Sequence, residues 1–194
     1  MLVLTKKQLK SVLAFAAKID VRFYLNGIYF DGQNLVATNG AAIAVITDTL
    51  AKDPKDRLNL KYFISFKNVE SALSKMKAKD TCELDIVDGV ACIRVGDSCF
   101  CDMNSETNER MTYKYPDFER VICKNPGAPD GFNWYNPDYL KALQNLVMAL
   151  NDHNYWTPEG FTHNMGCLGV RLLINPETER ELLLNVAIMP MRLG

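Results

Sequence analysis

The most informative stretch of the chain is Arg22-Phe23-Tyr24-Leu25-Asn26-Gly27-Ile28-Tyr29-Phe30-Asp31-Gly32, which continues to Leu35-Val36-Ala37-Thr38-Asn39-Gly40-Ala41-Ala42-Ile43-Ala44-Val45. Its apolar runs are separated by Asp31-Gly32 and Asn39-Gly40, dipeptides that accept the positive φ angles of tight hairpin turns. Three apolar runs joined by two such turns predict a three-stranded antiparallel meander.

The pattern around this meander occurs twice. Segments 5–18 and 66–77 each place apolar residues at helical spacing, behind the possible N-caps Thr5 and Ser65. The second helix follows a predicted strand at 62–64 and precedes predicted strands at 82–87, 90–95 and 98–101. A strand, a helix and a three-stranded meander therefore repeat within about 105 residues.

A third and less regular copy begins at Gly131. Segment 132–135 is its predicted strand, Asn136 caps a helix that has Pro137 at its first position, and strands are predicted at 169–174 and 182–188. Segment 154–165 shows no clear alternation. Because segment 114–130 contains three prolines and a glycine, we expect a boundary near residue 128, with domains at 1–128 and 129–194.

Composition indicates a soluble globular protein. The chain has 194 residues, is 48% apolar and carries a net charge of −1. No apolar run approaches the roughly 20 residues that a membrane helix needs, and the first residues do not have a signal peptide's order of regions, so we expect a cytoplasmic location. The six cysteines have no CxxC spacing and are interpreted as buried free thiols. The alternative is that Cys99 and Cys101, which would share one face of a strand, form a metal-binding or redox pair. No metal or cofactor is expected.

Three segments resemble the bacterial DNA polymerase III beta subunit, or DNA sliding clamp, family. RFYLNGIYFDG…LVATNGAAIAV is similar to the opening of the clamp's middle domain, YPDFERVI…KNP to the end of that domain, and IMPMRL to the end of the whole clamp. They occur in the family's order. The resemblance implies an α+β clamp-like fold of repeated strand-helix-three-strand units, with the helices on one face of antiparallel sheets. It further implies a shortened protein, with one complete domain and the second half of a last domain.

In that family the three segments form a pocket that receives short apolar peptides from polymerases, clamp loaders and repair enzymes. The alternative is that the apolar members are ordinary core residues. Ala41-Ala42 replaces a polar, basic pair of most clamps, which implies a smaller and less charged rim. By resemblance, the peptide-binding residues are Leu25, Thr38, Gly40, Ile43, Pro116, Arg120, Val121, Ala187, Ile188, Met189, Pro190, Met191, Arg192 and Leu193.

Lysines concentrate in the first part of the chain, where 11 of the 14 lie before residue 80. Those on the polar faces of the first two helices would face the hole of a clamp and hold DNA without reading its bases. The alternative is an ordinary solvated helix face. The third helix would show a nearly neutral face. The residues expected to face DNA are Lys7, Lys10, Lys18, Arg22, Lys67 and Lys75.

Taken together, the sequence predicts a non-enzymatic DNA polymerase processivity factor, of phage or mobile-element type. Its expected partners are peptides of the polymerase and of clamp-loader-type proteins, duplex DNA without sequence specificity, and further copies of itself. A ring of several chains, a two-fold dimer joined through the half-domains, and a monomer all remain open. The alternative function is a peptide-binding adaptor or decoy that does not encircle DNA. No Gly-rich phosphate loop, HExxH or GxSxG motif suggests an enzyme.

Overall fold

A computed structural model describes residues 1–52, 58, 62–102, 115–122, 134–150, 161–164, 167–174 and 182–191. Their order of elements confirms the predicted α+β class, with antiparallel sheets and few helices. The strands are β1 (Leu2–Thr5), β2 (Gly27–Phe30), β3 (Asn34–Thr38), β4 (Ala42–Asp48), β5 (Phe63–Ser65), β6 (Thr81–Val87), β7 (Val90–Val95), β8 (Ser98–Phe100), β9 (Phe161–Asn164), β10 (Cys167–Ile174) and β11 (Leu182–Ile188). The α-helices are α1 (Lys6–Leu13), α2 (Phe66–Lys75) and α3 (Pro137–Leu150).

The first two helices begin at the predicted caps. Thr5 and Gln8 form a capping box, in which the Gln8 N–H donates to Thr5 Oγ1 at 3.3 Å and the Thr5 N–H donates to Gln8 Oε1 at 2.8 Å. Ser65 Oγ accepts a 3.4 Å hydrogen bond from the Asn68 N–H. These bonds satisfy amide groups that have no partner inside the helix.

Helix α1 ends at Leu13, well before residue 18, where the apolar spacing predicted its end. The next amides turn more tightly, because the Phe15 N–H donates to the Val12 carbonyl and the Ala16 N–H to the Leu13 carbonyl. Such bonds span three residues, as in a 3₁₀ turn, and often close an α-helix. The apolar stripe therefore continues to Ala16 although the α-helix does not.

The strand before each of the first two helices joins the strands that follow the other helix. Strand β1, which precedes α1, joins the sheet β1-β6-β7-β8, while β5, which precedes α2, joins the sheet that contains β2, β3 and β4. We call residues 2–48 unit 1, residues 63–100 unit 2 and residues 134–188 unit 3. Each of the first two units thus completes the sheet of the other.

Unit 3 extends the sheet of unit 1. Strand β11 pairs with β4 over seven positions, from Leu182 opposite Asp48 to Ile188 opposite Ala42. The resulting sheet has the order β5-β2-β3-β4-β11-β10-β9 and spans the predicted boundary at residue 128. Of the strand predicted at 132–135, the first two residues lie outside the described residues.

The remaining residues of that prediction, Trp134 and Tyr135, form no strand. No neighbouring strand runs beside them within the described part of the chain. The Trp134 carbonyl accepts a 2.7 Å hydrogen bond from the Met191 N–H of the C-terminal segment.

Both faces of the seven-stranded sheet are buried around the first meander. Ile28 and Phe30 contact the core beneath the helices, whereas Tyr29, which lies between them, joins a second cluster on the opposite face. Alternation along the strands explains this division, because successive side chains point to opposite faces. None of the described helices is long and apolar enough to cross a membrane. The second cluster positions the candidate site.

Candidate functional site

An apolar cavity of about 210 Å³ opens on the face of the seven-stranded sheet that carries the second cluster. Three segments of the chain, 22–43, 115–121 and 187–189, build its walls, and one residue of β10 completes it. The lining residues are Arg22, Tyr24, Leu25, Thr38, Gly40, Ala41, Ala42, Ile43, Tyr115, Pro116, Asp117, Phe118, Val121, Cys167, Ala187 and Met189.

Aromatic stacking holds the second segment against the sheet. The rings of Tyr29 and Tyr115 stack with centroids 4.3 Å apart, and Phe118 lies 6.0 Å from Tyr29. Tyr24 meets Tyr115 edge-on at 6.4 Å. Such ring pairs contribute about 0.5–1.5 kcal/mol each beyond their burial. The cavity wall formed by residues 115–121 is therefore anchored by packing.

Hydrogen bonds to Leu58 add to this anchor. The Tyr115 N–H donates to the Leu58 carbonyl at 2.6 Å, and the Leu58 N–H donates to Tyr29 Oη at 2.8 Å. The hydroxyl of Tyr115 is buried and has no hydrogen-bond partner among the described residues. Burial raises the pKa of both tyrosines above the ordinary value of 10.0. Both rings are therefore neutral near pH 7.

Two charged side chains line the cavity, Asp117, which pairs with Arg120, and Arg22. Its Nε and Nη2 atoms donate to the carboxylate of Asp20, each at 3.0 Å. These bonds lower the pKa of Asp20 to about 2 and raise the pKa of Arg22. The guanidinium also lies against Gly40, where an added Cβ would be 2.9 Å from Nη2. Arg22, which the sequence grouped with the DNA-facing lysines, thus lies beside the cavity.

Eight of the predicted peptide-binding residues meet at this cavity, namely Leu25, Thr38, Gly40, Ile43, Pro116, Val121, Ala187 and Met189. Four others that the structure describes do not line it. Arg120 is largely exposed and pairs with the Asp117 carboxylate at 3.0 Å. Ile188 is fully buried in the helix-side core, because it follows Ala187 along β11 and points to the opposite face.

The last members of the predicted set lie at the C-terminal segment. Pro190 and Met191 follow β11 and lie outside the cavity lining, and Met191 is 46% exposed. Arg192 and Leu193 lie outside the described residues.

Sequence reasoning missed the aromatic part of the wall, Asp117 and Cys167. Tyr24, Tyr115 and Phe118 all lie within the segments that carry the resemblance, so their aromatic character was an available signal. Cys167 has no such signal. It reaches the cavity because β10 pairs with β11, and β11 in turn pairs with β4.

All five predicted DNA-facing lysines are exposed. Lys7 Nζ donates to the Met148 carbonyl at 3.3 Å, and Lys75 Nζ donates to Ser98 Oγ at 3.2 Å. Lys10 and Lys18 line a groove between α1 and α2. The residues predicted to form the outward face of α3 are all exposed, namely Asp138, Lys141, Gln144, Asn145 and Met148.

Of the comparisons with known proteins, the one with solved structures finds similar proteins. No protein-family model and no curated protein sequence matches the chain. Among solved structures, the Helicobacter pylori beta clamp in complex with carprofen has a TM-score of 0.56 at 10% identity, and the match covers 98% of this chain and 66% of that one. The same clamp bound to a DNA ligase peptide gives 0.46 at 12% identity, with coverages of 97% and 63%.

A third solved structure is the DNA polymerase III subunit beta from Pseudomonas aeruginosa, with a TM-score of 0.45 at 16% identity and coverages of 98% and 66%. The chain therefore spans slightly less than two thirds of the length of these clamps. At such identities the likeness bears on architecture alone. The match to the Helicobacter pylori clamp shows that this chain has the fold of the bacterial DNA sliding clamps.

Proposed function

We propose that this protein is a non-enzymatic, clamp-like processivity factor that binds short apolar peptide segments of a DNA polymerase and of clamp-loader-type proteins. The observation that carries the proposal is the apolar cavity, because it joins residues from all three segments that were selected from the sequence. Peptide grooves of this kind need an apolar floor and a few polar groups to fix orientation.

The chemistry of the lining favours a short peptide anchor. A volume of about 210 Å³ is smaller than the roughly 300–1,000 Å³ of pockets that enclose drug-sized ligands, so one or two side chains fit rather than a whole small molecule. Met189 is 49% exposed at the edge, and methionine adapts its shape to different apolar partners. The Arg22 guanidinium is already paired with Asp20 through Nε and Nη2, which leaves Nη1 to donate to a carbonyl or carboxylate of the peptide.

Peptide binding can be tested by fluorescence polarisation. The probe is a fluorescein-labelled copy of the DNA ligase peptide found with the Helicobacter pylori clamp, with a scrambled peptide as control. Val121, which lines the cavity and is 49% exposed, is replaced by Glu, and the matched control is Leu50→Glu at an exposed position outside the lining. We expect Val121→Glu to weaken binding at least about tenfold, because a carboxylate beside an apolar peptide must be desolvated. Equal binding by both variants, or no binding of this peptide and of an apolar heptapeptide library, would contradict the proposal.

The proposed tethering to DNA relies on the exposed lysines of α1 and α2. Lys10 and Lys67 belong to different helices, and both are exposed. Sequence-blind attraction to phosphates permits sliding, and it weakens steeply as salt concentration rises. Retention on nicked circular DNA, lost when the DNA is linearised, would distinguish encirclement from plain electrostatic binding. A Lys10→Ala, Lys67→Ala double variant should lower the salt-sensitive component of binding.

A peptide-binding adaptor or decoy is the second candidate. It is favoured by the exposed face of α3, where Asp138 and Lys141 offset each other and the remaining residues are uncharged. Such a face attracts DNA poorly. Peptide binding without salt-sensitive affinity for DNA would select this function over the processivity factor.

A further inference from the structure

Units 1 and 2 follow one rule when they exchange strands. In each unit, the residue that caps the helix pairs with the first residue of the strand that follows the helix in the other unit. Thr5 lies opposite Thr81, the first residue of β6, and Ser65 lies opposite Gly27, the first residue of β2. The two pairings are related by an approximate two-fold symmetry within the chain.

Unit 3 contains both parts of this pairing, a helix cap and a strand that follows the helix. Asn136 is the equivalent cap of α3, since its Oδ1 accepts a hydrogen bond from the Asp138 N–H at 2.9 Å. The equivalent strand after the helix is β9, which pairs with β10 on one edge. Among the described residues, no strand pairs with the other edge of β9, and Trp134–Asn136 joins no sheet.

The helix of unit 3 shows the corresponding uncovered position. Four residues beyond the caps lie Leu9 in unit 1, Val69 in unit 2 and Leu140 in unit 3. Leu9 and Val69 are 0% exposed, whereas Leu140 is 39% exposed. An apolar side chain at this position is therefore buried wherever two units are paired.

The residue before the helix cap shows the same difference in burial between unit 3 and the two paired units. Leu4 and Ile64, which precede the first two caps, are buried, whereas the equivalent Tyr135 is only partly buried. The next residue back, Trp134, is 66% exposed. The contrast in this segment therefore rests on Tyr135, because the equivalent of Trp134 in unit 1, Val3, is itself 39% exposed in a paired strand.

We propose that a second copy of this chain covers unit 3, so that two copies of unit 3 pair about a two-fold axis as units 1 and 2 pair within one chain. One surface supplies both the uncovered strand edge and the segment that would cover it, which is the self-complementarity that a two-fold interface requires. Another protein would have to reproduce both parts separately. The interface lies on the β9 edge of unit 3, whereas the residues of unit 3 that line the proposed peptide cavity, Cys167 and Ala187, belong to β10 and β11.

The rule also assigns the register of the new pairing. Asn136 pairs with the partner subunit's Phe161, and Trp134 pairs with the partner subunit's His163. Each subunit contributes the same pairs, so two short strands add to the two open edges, and Leu140 becomes buried. Pairing of exposed edges in this way also removes a site for uncontrolled aggregation.

The test combines the mass in solution with the register. Sedimentation equilibrium of the full chain should give a concentration-dependent dimer. Leu140→Lys should raise the dissociation constant of that dimer at least about tenfold, because the interface would bury a charge. The matched control is Leu173→Lys, since Leu173 on β10 is also 39% exposed but lies outside the proposed interface. Circular dichroism checks that both variants are folded.

Disulfide trapping tests the register even where a charged variant does not fold. Opposite residues of antiparallel strands have Cα atoms about 4.5–5.5 Å apart, within the range that a disulfide spans. In a Cys99→Ser background, Trp134→Cys with His163→Cys should give a covalent dimer under mild oxidation, whereas Trp134→Cys with Phe161→Cys, two residues out of register, should give much less. A monomer at high micromolar concentration, a dimer that resists Leu140→Lys, or equal trapping by the two cysteine pairs would overturn the proposal.

Discussion

Removing one hydroxyl from each ring of the Tyr29–Tyr115 stack should have opposite effects on stability. Tyr29 Oη accepts the 2.8 Å hydrogen bond from the Leu58 N–H, so Tyr29→Phe leaves that amide without its partner. A lost hydrogen bond together with an unpaired, partly buried donor costs about 2 kcal/mol. The hydroxyl of Tyr115 has no partner among the described residues, so Tyr115→Phe removes a polar atom that is buried at a cost. We expect a gain of up to about 1 kcal/mol.

Both substitutions keep the rings, so the 4.3 Å stack is the same in each variant and cancels from the comparison. For a chain of this size, 1 kcal/mol shifts Tm by about 2–4 °C. Tyr29→Phe should therefore melt about 4–8 °C below the parent protein, and Tyr115→Phe at or above it. Urea unfolding followed by circular dichroism gives the free energies directly. A loss of more than about 1 kcal/mol in Tyr115→Phe would refute the reasoning, because it would mean that the hydroxyl has a stabilising partner.

Three further predictions concern the turn beside the cavity, alkaline pH and the first helix. In urea unfolding, Gly40→Ala should lower the free energy of unfolding more than Gly89→Ala does. Both glycines have positive φ angles, of +88° and +78°, but only a Cβ at position 40 would crowd the Arg22 guanidinium. The raised pKa values of Tyr29 and Tyr115 keep both side chains protonated in the folded state, whereas the tyrosines of the unfolded chain ionise above pH 10. The free energy of unfolding should therefore fall above that pH by about 1.4 kcal/mol per pH unit for each tyrosine. In each single Phe variant, the free energy of unfolding should fall less steeply with pH. Thr5→Ala removes the capping hydroxyl of α1 and should cost about 1 kcal/mol, whereas Thr5→Asp, which keeps a side-chain acceptor, should cost less in the same assay.

Local signals predicted most of the fold. Asp31-Gly32 and Asn39-Gly40 marked the turns between β2, β3 and β4, and the glycine of each has a positive φ angle. Thr5 and Ser65 marked the helix starts, because capping depends on residues three positions apart. Such interactions are contained within a few residues and therefore leave a pattern in the sequence.

Features that depend on distant partners were not predictable in the same way. The pairing of β4 with β11 joins the first and third units, yet neither strand identifies its partner by composition. The position of Arg22 depends on Asp20 and on the space above Gly40, so its charge alone suggested a contact with DNA. Which residues bind a peptide or DNA stays a prediction.

The pairing of β4 with β11 also bears on the kinetics of folding. Ala42 and Ile188 are opposite each other although 146 positions separate them along the chain. Contacts of such long range form slowly, because the intervening chain must lose conformational entropy before the pairing contributes any free energy. Since Ala187 and Met189 complete the cavity, it can form only once this long-range pairing has been made. A probe bound in this cavity would therefore report the formation of the native topology rather than of its early hairpins.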